Sequence, residues 1–238
     1  MDREQSGRNL TLQLVHTLGA AIVQGKYAEQ QGLPSEAELC EEFDISRSAT
    51  REAVKMLTAK GLISSRPRQG IRLKPRESWN MFDPDVLNWI LKGTPTLSML
   101  KEFLQLRIAV EPEAAALAAD HQDDALIARI GDALDRMRAA ERGLEDPLEA
   151  DIAFHLSILA ASGNPFYIQL RSFIETALRV SIRYTNRIKG VSTASNEDHK
   201  KIYDAIVKGN SQAARKASKE IQEEALELII SELEAQPC

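Results

Sequence analysis

The sequence predicts a mainly α protein in two domains, a small basic head of three helices and a β-hairpin followed by an all-helical antiparallel bundle. Three observations carry this. At 238 residues the chain is long for one domain and sufficient for two. It is 43% hydrophobic but only 5% aromatic, with apolar residues at helical spacing along most of its length. Its charge is uneven: residues 1–76 carry twelve Lys/Arg against nine Asp/Glu, and the remainder eighteen against twenty-six. The overall charge of −5 therefore hides a local positive field.

Leu10, Leu14, Leu18 and Ile22 form the apolar stripe of a first helix, which Gly25 ends. Ser35-Glu36-Ala37-Glu38 reads as a capping box, so a second helix starts there and buries Leu39 and Phe43. After the turn Asp44-Ile45, Ser46 is a good N-cap for a third helix that buries Ala49, Ala53, Val54 and Leu57 and stops at Gly61. Leu62-Ile63-Ser64 and Ile71-Arg72-Leu73 flank the corner Arg66-Pro67-Arg68-Gln69-Gly70 and predict a small hairpin. The head is expected to span 1–76, ending in Lys74-Pro75-Arg76. The second domain spans 77–238, with 77–95 as linker and short helix. Helices are expected at 83–91, 97–119, 124–142, 147–161, 166–188, 197–208 and 211–233, separated by Pro84, Pro95, Asn164-Pro165 and Gly209-Asn210.

Two short helices, a tight turn and a basic hairpin are the parts of a winged helix-turn-helix, whose second helix enters the major groove of DNA. From Ser46 to Arg76 there are nine basic residues, Lys60 among them, against the single acid Glu52, a candidate phosphate-binding surface. Candidate DNA-binding residues are Ser35 and, at the start of the third helix, Ser46, Arg47, Ser48, Thr50 and Arg51. Arg47 and Arg51 share a face, and an arginine there can fork onto guanine. Arg66, Arg68, Gln69 and Gly70 on the hairpin tip would meet phosphates or the minor groove.

Cys40 and Cys238 have neither a disulfide framework nor zinc spacing, and no stretch approaches the ~18 apolar residues of a membrane span, so a cytoplasmic protein is expected.

The runs 33–39, 46–53 and 57–63 resemble the GntR family of transcription factors. The second domain resembles the FadR-type branch with its FCD effector domain, through Arg107 with Glu111-Pro112, Asp151-Ile152-Ala153-Phe154-His155, Ser162-Gly163-Asn164-Pro165 and Glu197-Asp198-His199. The segment 79–91, which contains Trp79 and Trp89, is similar to that of the sugar-acid-responsive galactonate-operon repressors. The two tryptophans are expected to pack at the domain junction. The resemblance implies a homodimer on a palindromic operator, base and phosphate contacts from Arg47, Arg51 and the Gly70 region, and a carboxylate effector. Many relatives carry an arginine where this chain has Ala37, so one DNA contact is expected to be missing.

Asp151 and His155 lie four apart on one helix and so share a face; His199 lies on another. In such FCD proteins an aspartate and three histidines commonly hold a divalent metal, zinc or similar. The position for the third histidine, twenty-two residues after His199, is Ile221. Asp151, His155 and His199 are therefore the candidate metal ligands, with effector, water, Glu220 or Glu224 completing the sphere. The alternative is that both histidines are hydrogen-bonded pocket residues. Arg107, Arg179 and Arg183 join them as candidate effector-binding residues, because a buried arginine needs an anionic partner. For Arg107 that partner could instead be Glu111, and Tyr184 and Asn186 are further candidates for hydroxyls. The reading is a regulator, not an enzyme. The rivals are a metal-dependent hydrolase using the same three ligands, which leaves the head unexplained, and a regulator of this branch responding to another organic acid or an acyl-CoA.

Overall fold

The computed structural model describes residues 2–27, 33–66, 68–92, 96–190 and 194–235, with side chains from residue 9 onward. It is mainly helical, with one two-stranded antiparallel sheet among the described residues. The chain divides into two compact units, Met1–Thr94 and Pro95–Cys238.

In the first unit, α1 (Asp2–Val23) buries Leu14, Leu18 and Ile22 as its spacing predicts, joined by Val15, while Leu10 is exposed. Gly25, at φ 72°, ends it. Helix α2 (Glu36–Phe43) begins at the expected capping box: Glu38 N–H donates to Ser35 Oγ (3.3 Å) and Ser35 N–H to Glu38 Oε2 (2.7 Å). Helix α3 (Arg47–Ala59) is capped by Ser46 Oγ, which accepts from Ala49 N–H at 3.2 Å. Strands β1 (Ile63–Arg66) and β2 (Gly70–Leu73) pair with Ile63 opposite Leu73 and Arg66 opposite Gly70. Leu39, Ala53, Val54, Leu57, Leu62 and Ile63 join the α1 stripe in one core.

The sequence expectation ended the head at Arg76, but the next segment is packed on it. A 3₁₀ turn (Arg76–Ser78) leads to α4 (Pro84–Lys92), whose Val86 and Trp89 complete the head's core. A Cβ on Gly19 of α1 would lie 2.3 Å from the Trp89 ring, so this contact requires glycine. Trp89 Nε1 donates to His16 Nδ1 (3.2 Å), and Trp79 Nε1 to the Lys74 carbonyl (3.2 Å). Both tryptophans thus pack on the core of the first unit.

The second unit holds α5 (Leu97–His121), α6 (Asp124–Glu141), α7 (Pro147–Ala161), α8 (Pro165–Gln169), α9 (Arg171–Lys189), α10 (Asn196–Val207) and α11 (Ser211–Ala235). Helix α5 packs along α11 and α7, α6 along α7, and α10 against α11, α6 and α5. The expected helix 166–188 is divided at Leu170, whose N–H is shared between the Phe166 and Tyr167 carbonyls, a local tightening to 3₁₀ geometry. Among the described residues no helix is long and apolar enough to cross a membrane.

Candidate functional site

Two places concentrate chemistry, one in each unit. In the head, Arg47 opens α3 and Arg51 follows one turn later, both exposed. Among the described residues Arg51 pairs with Glu36 alone, at 3.3 Å, with its side chain 69% exposed, so the pair holds it weakly and a polyanion can replace the carboxylate. Ser48 is exposed, with Oγ 2.9 Å from that of Ser46. Arg66, Arg68, Gln69 and Gly70 are exposed on the hairpin tip; Pro67 lies outside the described residues. Arg68 and Gly70 take left-handed backbone (φ 65° and 69°), which turns the chain tightly there.

Two expectations for the head need correction. Thr50 is fully buried: its hydroxyl donates to the Ser46 carbonyl (3.2 Å) and lies 3.2 Å from Cys40 Sγ, so its side chain joins α3 to α2 and offers DNA nothing. Lys60 is also withdrawn from the basic surface. Its Nζ lies 2.8 Å from both Asp83 and Asp85 and 5.6 Å from the Trp89 ring centroid. Burial opposes its charge, but the two aspartates outweigh this and raise its pKa.

In the second unit a buried polar centre lies at the foot of a cavity of about 300 Å³. Helix α7 supplies Asp151 and His155, α10 supplies His199, and α5 supplies Arg107 and Glu111; all five are at most 4% exposed. His155 Nε2 and His199 Nε2 approach Asp151 Oδ1 at 3.2 and 3.4 Å. Each ring is held from its other side. His155 Nδ1 lies 2.8 Å from Glu111 Oε2, and His199 Nδ1 lies 2.7 Å from the Ser195 carbonyl. A carbonyl only accepts, so His199 carries a proton on Nδ1 and turns Nε2 toward Asp151.

That arrangement leaves Asp151 Oδ1 and His199 Nε2 buried without hydrogen bonds. A carboxylate oxygen facing an imidazole nitrogen is satisfied when a cation, either a proton or a metal ion, lies between them. Asp151, His155 and His199 each offer one ligand atom, all within 4.8 Å of one another. The donor set, two imidazole nitrogens and a carboxylate oxygen, suits zinc or a similar divalent ion. The same surroundings favour a proton on His155: burial disfavours its charge, but Glu111 and Asp151 outweigh burial and Arg107, and its pKa is pushed up to about 9. Burial likewise pushes the Asp151 and Glu111 carboxyls up. The histidines hold Asp151, and Arg107 with His155 hold Glu111, well below the usual carboxylate range.

Arg107 gives Nε to Glu111 Oε1 (2.6 Å) and Nη2 to Oε2 (3.2 Å), so Glu111, an alternative in the sequence reading, is its main partner, although Arg107 also borders the cavity. The expectation for Arg179 and Arg183 is corrected. The cavity wall on α9 is Ile182, Thr185, Asn186 and Lys189, whose spacing defines one face. Arg179 and Arg183 lie off that face: Arg179 is paired with Glu149 and Glu175, and Arg183 is exposed. Of the two hydroxyl candidates, Asn186 lines the cavity, whereas Tyr184 packs in an apolar cluster with Leu97, Leu100 and Leu104. The reading of the sequence passed over Gln222 entirely. It follows Ile221, is fully buried, and donates to Glu111 Oε2 at 2.7 Å.

The sequence has counterparts among known proteins. Residues 10–73 match the family model of bacterial regulatory proteins, gntR family, and residues 102–224 match the FCD domain. The chain belongs to the GntR family. As a GntR protein with an FCD domain it is a DNA-binding transcriptional regulator and not an enzyme, and the FCD domain implies a small-molecule effector. It is 36% identical to the galactonate operon transcriptional repressor of Escherichia coli over 88% of this chain and 92% of that one. It is 32% identical to the regulator LutR of Bacillus subtilis over 82% and 90%. The solved structure of Lar, which controls the Listeria monocytogenes agr system, has the same fold at 20% identity, with a TM-score of 0.53 over 93% of this chain and 96% of that one.

Proposed function

We propose that this GntR regulator is a homodimeric repressor of a sugar-acid catabolic operon, released from a palindromic operator when an aldonate such as galactonate fills the cavity of its FCD domain. The observation that carries the reading is the buried pair Asp151 Oδ1 and His199 Nε2, both without hydrogen bonds, beside a cavity of about 300 Å³. Asp151, His155 and His199 would hold a divalent ion there. When bound, the ion supplies a concentrated positive charge that a carboxylate can bind. Arg107 cannot provide that charge alone, because Glu111 has taken two of its donor groups.

Around the centre, Thr185, Asn186 and Ser195 line the walls with groups that can exchange hydrogen bonds with hydroxyls. The volume is at the small end for ligand pockets, which suits a six-carbon acid and is too little for an acyl-CoA. The likeness to the galactonate operon repressor points the same way. In the head, Ser46, Ser48, Arg47 and Arg51 would meet one half-site, and Arg66, Arg68, Gln69 and Gly70 the flanking backbone. Ser35 contributes through its cap. A two-fold dimer matches a two-fold site, and a ligand that binds one arrangement of the heads more tightly shifts operator affinity by that difference.

The test is a gel-shift titration of the operator complex with aldonates, uronates, lactate and an acyl-CoA, each with and without zinc. Aldonates should release the DNA at the lowest concentrations. Operator affinity unmoved by every sugar acid in the panel rejects the effector assignment.

A further inference from the structure

Glu111 is the most heavily engaged group of the buried centre. Its carboxylate accepts from Arg107 Nε (2.6 Å), Arg107 Nη2 (3.2 Å) and Gln222 Nε2 (2.7 Å), and its Oε2 lies 2.8 Å from His155 Nδ1. Four donors on two oxygens use about the full acceptor capacity of a carboxylate. The group is fully buried and cannot swing away, because α5 carries both Glu111 and Arg107 while α11 clamps it through Gln222.

We propose that Glu111 is the positioning residue of the ion centre: it holds the Nδ1–H of His155, so that Nε2, which Arg107 Nη2 also approaches at 3.3 Å, faces Asp151 and His199. The inference rests on reading Asp151, His155 and His199 as an ion-binding set. His155 needs such a partner more than His199 does, because the latter has the Ser195 carbonyl at 2.7 Å for the same purpose. Helix α11 reaches the centre in two different ways. Ile221 offers the cavity an apolar wall, and Gln222 supports Glu111. The contribution of α11 to ion binding is therefore indirect, passing through Glu111 to His155.

Replacing Glu111 by glutamine removes one of two acceptor oxygens while Arg107 still demands its share. The remaining amide N–H₂ is then turned toward His155 Nδ1, which favours the Nε2–H tautomer and blocks ligation. The experiment is a cobalt titration of the full-length protein, followed by visible absorption, for wild type, E111Q, Q222L and the double variant R107M/E111Q. The double variant leaves no buried arginine without its counter-charge, and circular dichroism verifies its helicity. In parallel, long-range ¹⁵N–¹H NMR of the metal-free protein, above the pH at which His155 loses its charge, reads its tautomer.

The expected result is a 10- to 100-fold loss of cobalt affinity in both E111Q proteins. The His155 Nδ1 proton should be lost in step, and Q222L should lose several-fold. Cobalt affinity within about twofold of wild type in both E111Q proteins, with Nδ1 still protonated, overturns the role of Glu111 while leaving the ion-binding reading intact. A wild-type protein that takes up neither cobalt nor zinc overturns both.

Discussion

Arg47 and Arg51 of the head and Arg107 of the bundle have opposite fates. Arg47, Arg66 and Arg68 are exposed and form no ion pair among the described residues, and Arg51 has only a loose one. Arg107, Arg179 and Arg215 of the bundle are each tied to glutamate, Arg107 within a fully buried network. Desolvating a charge without a partner is costly, so a folded chain leaves cations free only at its surface, where a polyanion such as DNA can displace water and counterions. The buried arginine has instead been spent on holding other groups in place. The same side chain is thus left open to an outside partner in one unit and tied to an inside one in the other.

The largest test of that contrast is the double variant R47A/R51A. If these two forks read bases, operator affinity should fall about 10²- to 10⁴-fold by fluorescence anisotropy, with a shallower salt dependence. Retention of full, salt-sensitive binding would break the contrast on the head side. Next in size, D151N should lower zinc affinity at least tenfold by calorimetry and remove effector release, while leaving ligand-free operator binding within about twofold. Loss of operator affinity as large as that of R47A/R51A would mean that the centre is needed for folding the whole chain.

A smaller effect concerns pH. The pKa of His155 rises from 6.5 to about 9 on folding, so the folded state binds the extra proton. Its stabilisation is complete below pH 6.5 and is lost as pH climbs through 9. The metal-free protein should lose on the order of 1–3 kcal/mol over that window, seen as a fall of several degrees in Tm by calorimetry. Bound zinc, replacing the proton, should flatten the profile. A metal-free Tm that is constant between pH 6.5 and 9 would show that His155 is not cationic in the folded state. The smallest effect is at Arg179: R179A should change stability by less than about 1 kcal/mol and effector response by less than twofold, because its pairs lie at the surface.

What the sequence revealed was local. The capping box at Ser35, the Ser46 cap and the Leu14, Leu18, Ile22 stripe depend on neighbours three or four residues away, and all three are present. Thr50 could have been read correctly, since it lies in phase with Ala53, Val54 and Leu57 on the buried face of α3; its hydroxyl suggested a surface role that its phase denied. The division at Leu170 follows from no proline or glycine and had no signal to find. Partnerships across helices were equally hidden. Lys60 with Asp83 and Asp85, Arg179 with Glu149, and Gln222 with Glu111 join positions far apart in the chain, and only packing brings them together. Among the candidates at the cavity, Asp151 and His155 followed from i, i+4 spacing, whereas His199 was brought to them by resemblance alone.

The seating of Trp89 over Gly19 has a practical consequence for anyone isolating the DNA-reading portion. A fragment cut after Arg76 would uncover the slot above Gly19 and deprive Lys60 of Asp83 and Asp85. Cut after residue 94, the same fragment retains its lid and its counter-charges. The shorter piece should be prone to aggregation, and the longer one should melt as a cooperative unit.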